Sequence, residues 1–255
     1  MQVLSSLRSL LRRVPVGSPL FLGLLLLVGA LYVFAQVADE VHEGETHHLD
    51  RQVVRSLRDP LEPARPIGPH WLPETARDVT ALGGVPVLGF VALAVAGFLA
   101  LSGKLRSLVL VLGATLGGLV ISLLLKEGFA RPRPDVVPHL AQTLTASFPS
   151  GHAMLSAVVY LTLGLQLTAL VPRRRLKTYV LFIALLLTVL IGVSRVYLGV
   201  HYPTDVLAGW AAGLAWAVAS ALLAHALRRR SPELAQEAAP DARPAPAGSG
   251  ERESA

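Results

Sequence analysis

Residues 107–125 read SLVLVLGATLGGLVISLLL and carry no charge anywhere along their length. About 20 apolar residues in a helix cross the hydrocarbon core of a bilayer. Apolar side chains cover every face of this helix, whereas a surface helix of a soluble domain shows one apolar stripe. The stretch therefore reads as a membrane span, and lipid becomes the solvent for its neighbours. Five further apolar runs fit the same reading, at 19–38, 81–102, 151–171, 178–194 and 206–227. The run at 178–194 is the shortest, and its limits are the least sharply marked. Composition agrees, with 53% of the 255 residues hydrophobic and 16% charged, against about a quarter charged in a soluble domain. The expected fold is all-α, a polytopic membrane protein built as a six-transmembrane-helix bundle.

The formal charge of +6 does not point to nucleic acid, because the basic residues sit in short clusters beside the apolar runs. Arg8, Arg12 and Arg13 precede the first run, and Lys104 and Arg106 lie between the second and third. Arg173, Arg174, Arg175 and Lys177 join the fourth to the fifth, and Arg228, Arg229 and Arg230 follow the sixth. With six crossings these clusters share one side, which the positive-inside rule makes the cytoplasm. Both termini are then cytoplasmic, with residues 1–18 as a short leader into the membrane domain of 19–230. The first run is long for a leader-peptide core and lacks a small-residue cleavage site, so it reads as a retained span. Residues 231–255, rich in Ala, Pro, Glu, Ser and Gly, read as a disordered cytoplasmic tail. Residues 39–80 form an outer interfacial segment, with a helical piece near 39–57. Gly113 with Gly117, and Gly209 with Gly213, have the spacing that lets helices approach closely within a bundle. There is no cysteine, which excludes disulfides and thiolate chemistry.

Three clusters of polar residues fall on the outer side, each at the edge of a span. Residues 126–134 read KEGFARPRP. Snorkelling to headgroups accounts for a lysine at a helix end, but not for two arginines between prolines on the side poor in cations. Arginine offers a planar fork of donors matched to phosphate oxygens. Residues 148–152 read FPSGH. Ser150 is a natural cap, yet the free amides of a helix start, with a glycine allowing close approach, also bind anions. Residues 194–205 read SRVYLGVHYPTD. His201 and Asp205 share a face if a helix begins near Pro203, and a carboxylate beside an imidazole fixes its tautomer. Together the clusters supply cations, two histidines, a carboxylate and a helix N-terminus. That is the inventory needed to hold a phosphate, attack its phosphorus and protonate its leaving group.

The set K-x6-R-P, P-S-G-H and S-R-x5-H-x3-D resembles, over about residues 81–227, the type 2 phosphatidic acid phosphatase family. That family is similar in its active site to vanadium-dependent haloperoxidases and bacterial acid phosphatases. The resemblance implies a metal-independent phosphoric monoester or diphosphate hydrolase that uses no cofactor. By the same resemblance His201 is the nucleophile, Asp205 orients it, and His152 is the general acid and then the base. Lys126, Arg133, Ser150, Gly151 and Arg195 bind the phosphate, and Arg131, outside the motif, is a supporting cation. A site at the membrane boundary suits a lipid phosphate or diphosphate, such as phosphatidic acid, phosphatidylglycerophosphate or undecaprenyl diphosphate. The expected location is the cell membrane, multi-pass, with the site on the extracytoplasmic side.

Two other functions fit parts of the pattern. A lipid phosphotransferase would use the same phosphohistidine, and a non-catalytic lipid transporter would use only the basic portal. A metal site from His42, His47 and His48 among Asp39, Glu40, Glu43, Glu45 and Asp50 is disfavoured, because that spacing fits no defined geometry. The stretch reads instead as a solvated acidic face. Neither the lipid nor the oligomeric state is legible.

Overall fold

The computed structural model describes residues 18–141 and 145–230, apart from the side chains of 169 and 170. The expectations for the N-terminal leader and the C-terminal tail lie outside these residues, Ser18 excepted. The described residues are helical, in the order α1 (Pro19–Glu43), α2 (His47–Ser56), α3 (Trp71–Ala81), α4 (Val85–Leu101) and α5 (Leu105–Phe129). Next comes a broken helix, α6 (Gly151–Ser156), a π-helical stretch (Ala157–Leu161) and α7 (Thr162–Leu170), then α8 (Arg174–Tyr197) and α9 (Pro203–Arg230). The only β pairing among them is an isolated bridge between Arg58 and Pro66.

Among the described residues five helical stretches are long and apolar enough to cross a membrane, and α3 with α4, bent by 44° at their junction, passes the same test as a pair, which makes six where the pair counts as one span. The helices outrun the apolar windows. The first span continues to Glu43, and the fifth, expected to be short, runs from Arg174 to Tyr197. Backbone hydrogen bonding continues past the hydrocarbon edge, where charged side chains meet headgroups, so a hydropathy window underestimates helix length. Ser194 and Arg195 consequently stand in the last turn of α8 rather than in an outer loop.

Small residues face inward and large ones face lipid. Ala208, Ala211, Ala215 and Ala217 of α9 are buried, while Leu25, Val28 and Leu31 of α1, Phe90 and Leu93 of α4, and Leu124 of α5 are exposed. Helices in lipid gain no hydrophobic driving force from association, so close backbone approach must supply the contact energy. A Cβ on Gly209 would lie 2.7 Å from the Ser150 carbonyl oxygen, and one on Gly213 would lie 2.5 Å from that of Met154. The small-residue pair of α9 therefore seats it against α6, within the bundle. On α5 the expected pair is corrected. A Cβ on Gly117 or Gly118 would press on Trp216 or Val158, but Gly113 has nothing within 4 Å.

The basic clusters and the polar clusters sit at opposite ends of the long helices. Lys104 and Arg106 begin α5 and Lys126 lies near its end; Arg173 and Arg174 begin α8 and Arg195 lies near its end; α9 carries Asp205 in its first turn and closes on Arg228, Arg229 and Arg230.

Candidate active site

Each polar cluster is set by a local backbone feature. α5 stops at Ala130, a non-glycine residue in the left-handed region (φ 45°) whose N–H donates to the Lys126 carbonyl at 3.1 Å. Such a conformation costs about 1–3 kcal/mol and persists only where surroundings impose it. The turn carries Arg131 and Arg133 back across the mouth of the bundle. α6 begins after Ser150, whose backbone is extended and whose N–H donates to the Asp205 carbonyl at 2.9 Å. Phe148 packs edge-on to Phe129 at 4.7 Å between ring centres, which pins the start of α6 to the end of α5. Leu198 to Tyr202 turn from α8 into α9 through Gly199 (φ 72°), where a Cβ would meet the Arg58 guanidinium at 2.6 Å. Pro203 opens α9, its fixed φ suited to a first helical turn.

These turns bring the clusters together around one imidazole. His201 is buried, with Nδ1 3.4 Å from Asp205 Oδ2 and 3.3 Å from the Ser147 hydroxyl. Its Nε2 lies 3.2 Å from an Arg133 guanidinium nitrogen. A proton on Nδ1, facing the carboxylate, leaves the Nε2 lone pair turned toward the arginine side. Burial pushes the His201 imidazole down to about 3, against the opposing pull of Asp205. The free base is thus the form present near neutrality. Burial also lowers the Arg133 guanidinium, again against Asp205, but an arginine stays charged.

Arg133 further donates to the carbonyls of Thr145 (2.8 Å) and Val200 (2.7 Å). Lys126 Nζ donates to the Ala146 carbonyl at 2.7 Å, and its Cε lies 3.1 Å from where a Gly151 Cβ would stand. Arg195 donates to Thr80 Oγ1 at 3.2 Å, and its Nε is buried without a protein partner. The Ser150 hydroxyl is buried and likewise unpartnered, and it makes no cap hydrogen bond. His152 sits within electrostatic reach of Arg195, His201, Lys126 and Arg133. All eight residues singled out from the sequence thus gather at one end of the bundle. Ser150 Oγ and Arg195 Nε are buried without protein partners among these cations, and free donors of that kind suit the oxygens of a phosphoryl group.

Two residues were not read from the sequence. Ser147 donates to Asp205 Oδ2 at 2.5 Å, and the Tyr202 N–H donates to the same oxygen at 2.9 Å. Asp50 was read as part of a solvated face, yet it is buried and accepts from Arg131 at 2.8 Å. Arg131, expected as a supporting cation outside the motif, spends its charge on carboxylates, since its other nitrogen donates to Asp205 Oδ1 at 2.7 Å. Burial opposes its charge, but the two carboxylates outweigh burial and hold its pKa above the ordinary value. His42, His47 and His48 are exposed, and among the described residues no three His, Cys, Asp or Glu side chains could hold a metal.

Known proteins resemble this chain over the stretch that holds these residues. A model of the PAP2 superfamily matches residues 106–229. Phosphatidylglycerophosphatase B of Bacillus subtilis (strain 168) is 45% identical over 96 residues, 37% of this chain and 47% of that protein. An undecaprenyl-diphosphatase of Sulfolobus acidocaldarius is 40% identical over 67 residues, 26% of this chain and 28% of that one. The chain thus spans less than half the length of these two relatives. The crystal structure of the transmembrane PAP2-type phosphatidylglycerolphosphate phosphatase from Bacillus subtilis superposes with a TM-score of 0.72 at 29% identity, covering 80% of this chain and 98% of that one. The three motifs gathered about one imidazole all lie within residues 106–229, the stretch over which this chain is similar to the PAP2 superfamily.

Proposed function

We propose that this protein is a multi-pass membrane lipid phosphatase that works through a phosphohistidine on His201. The observation that carries the reading is the imidazole itself, buried, backed by Asp205 at Nδ1 and faced by Arg133 at Nε2. In the first step the Nε2 lone pair forms a bond to phosphorus as the bond from phosphorus to the lipid oxygen breaks. His152 gives its proton to that oxygen. Asp205 balances the positive charge that the phosphorylated ring acquires. In the second step water attacks phosphorus and passes a proton to His152, and the phosphorus–nitrogen pair returns to Nε2 as phosphate leaves. Lys126, Arg133 and Arg195, with the Ser150 hydroxyl and the Gly151 amide, stabilise the phosphoryl oxygens.

The proposed substrate class is a lipid phosphomonoester or diphosphate. The relatives' names, phosphatidylglycerophosphatase and undecaprenyl-diphosphatase, support both members of that class. The opposite placement of the basic clusters and the site on the same helices supports a cell-membrane protein with its site on the extracytoplasmic side and both ends of the membrane domain in the cytoplasm. The test is phosphate release from phosphatidic acid, phosphatidylglycerophosphate and undecaprenyl diphosphate by the purified protein in EDTA. Release from at least one is expected, and it is lost in His201→Ala. Undiminished release in that folded variant would reject the assignment.

A further inference from the structure

A buried carboxylate lies in the chain before residues 106–229, the stretch that matches the family. Asp50, on α2, is buried, and its side chain is 2% exposed. Its Oδ2 accepts from Arg131 at 2.8 Å and from the Thr204 hydroxyl at 2.6 Å, and its Oδ1 accepts from the Thr204 N–H at 3.2 Å. The other Arg131 nitrogen donates to Asp205 at 2.7 Å and to Thr204 Oγ1 at 2.9 Å. The guanidinium also lies over the Tyr202 ring at 4.6 Å. The result is a closed chain of three charges, Asp50, Arg131 and Asp205, ending on the carboxylate that faces His201.

The charge count gives this chain its meaning. Were Arg131 paired with Asp205 alone, the two would cancel, and little negative charge would remain for the imidazole. Inside a protein such cancellation is felt strongly, because solvent screens it poorly. Asp50 offsets Arg131, so the triad as a whole carries one negative charge. That charge faces His201 as its ring becomes cationic on phosphorylation. We propose that Asp50 is a positioning residue for the reaction, acting through Arg131 to keep Asp205 both oriented and charged. This inference rests on the phosphohistidine reading and extends it to a segment outside the family match.

The experiment compares wild type, Asp50→Asn, Asp50→Glu and the double variant Asp50→Asn with Arg131→Gln, purified in detergent. Phosphate release is measured over a range of substrate concentrations, and imidazole ¹⁵N spectra are recorded with labelled histidine. Asp50→Asn is nearly isosteric and is expected to lower kcat by about 10- to 100-fold, the range for groups that orient a contacting ligand. KM is expected to stay within about twofold of wild type, since no phosphate contact is lost. The His201 ring signals move in this variant. Asp50→Glu keeps most of the wild-type kcat. The double variant regains at least about tenfold over Asp50→Asn, because removing both offsetting charges returns Asp205 to full charge. The proposal is overturned if Asp50→Asn leaves kcat and the His201 signals as in wild type, or if the double variant is no better than Asp50→Asn. A purely structural role predicts that last result, with only the unfolding temperature affected. If wild type releases no phosphate, the phosphatase reading fails, and the His201 signals still decide the claim about Asp50.

Discussion

His201 is the point on which the residue-scale account turns, and its protonation has a measurable consequence. The folded imidazole binds its proton only near pH 3, against 6.5 for the free group. Between those values the unfolded chain holds the proton and the folded one does not, so stability falls as pH falls through that window. Thermal unfolding in detergent is expected to shift downward from pH 7 to pH 4, with a shallower slope in His201→Asn. Equal slopes would mean that the imidazole is not buried in its neutral form. Ser147 offers a second test. Ser147→Ala removes the hydroxyl from Asp205, and an unmatched buried acceptor costs about 1–3 kcal/mol. If that loss falls on the transition state, kcat drops about tenfold or more with KM unchanged. The two histidines, the carboxylate and the cations that gather at this end were legible because each lies in a short motif whose chemistry is unusual at a membrane edge. Ser147 was not, since a serine beside Phe148 and Pro149 looks like any loop residue. Asp50 was hidden for a different reason. Its neighbours His47, His48 and Arg51 are exposed, and local composition cannot reveal that one side chain of the turn points inward to an arginine 81 positions away.

At the scale of elements, the register of α9 against α6 decides whether Ser150 and Gly151 face His201. Gly209 and Gly213 set that register by letting the backbones touch. Gly209→Val is expected to push α6 away from α9, with an overpacking penalty of about 1–3 kcal/mol. Phosphate release falls with it, since the Ser150 N–H is bonded to Asp205 across this contact. Gly113→Ala is the matching control. Its added methyl meets nothing within 4 Å, and alanine is the better helix former by about 1 kcal/mol. Unfolding temperatures of the two variants check the pair, and a Gly113→Ala variant that unfolds earlier than wild type would contradict the packing described. The spacing of these glycines was visible in the sequence, but which of them touch was not. Periodicity gives the face of one helix, while contact depends on how the neighbouring helix crosses it. Helix ends were misjudged for a related reason: α1 runs on through Asp39, Glu40 and Glu43, polar residues that close a hydropathy window without ending a helix.

For the whole molecule, the account is that a bundle with lipid as its outer solvent gathers cations and imidazoles at one end to process a lipid phosphate. The segment between α1 and α4 closes over that end, with Arg58 donating to the Tyr197 carbonyl at 2.9 Å and Asp50 clamping Arg131. The all-helical, multi-span character of the chain and the convergence of the motifs could be read from apolar length and motif chemistry. The role of that segment could not, because its partners are distant in the chain. Trapping the covalent intermediate tests the central claim most directly. Wild-type protein is mixed with excess lipid substrate, quenched in base within the first turnovers and digested, and the peptides are examined by mass spectrometry. The account predicts an added phosphoryl group on His201 and on no other residue. Phosphorylation at another position, or steady turnover by a folded His201→Ala protein, would contradict it.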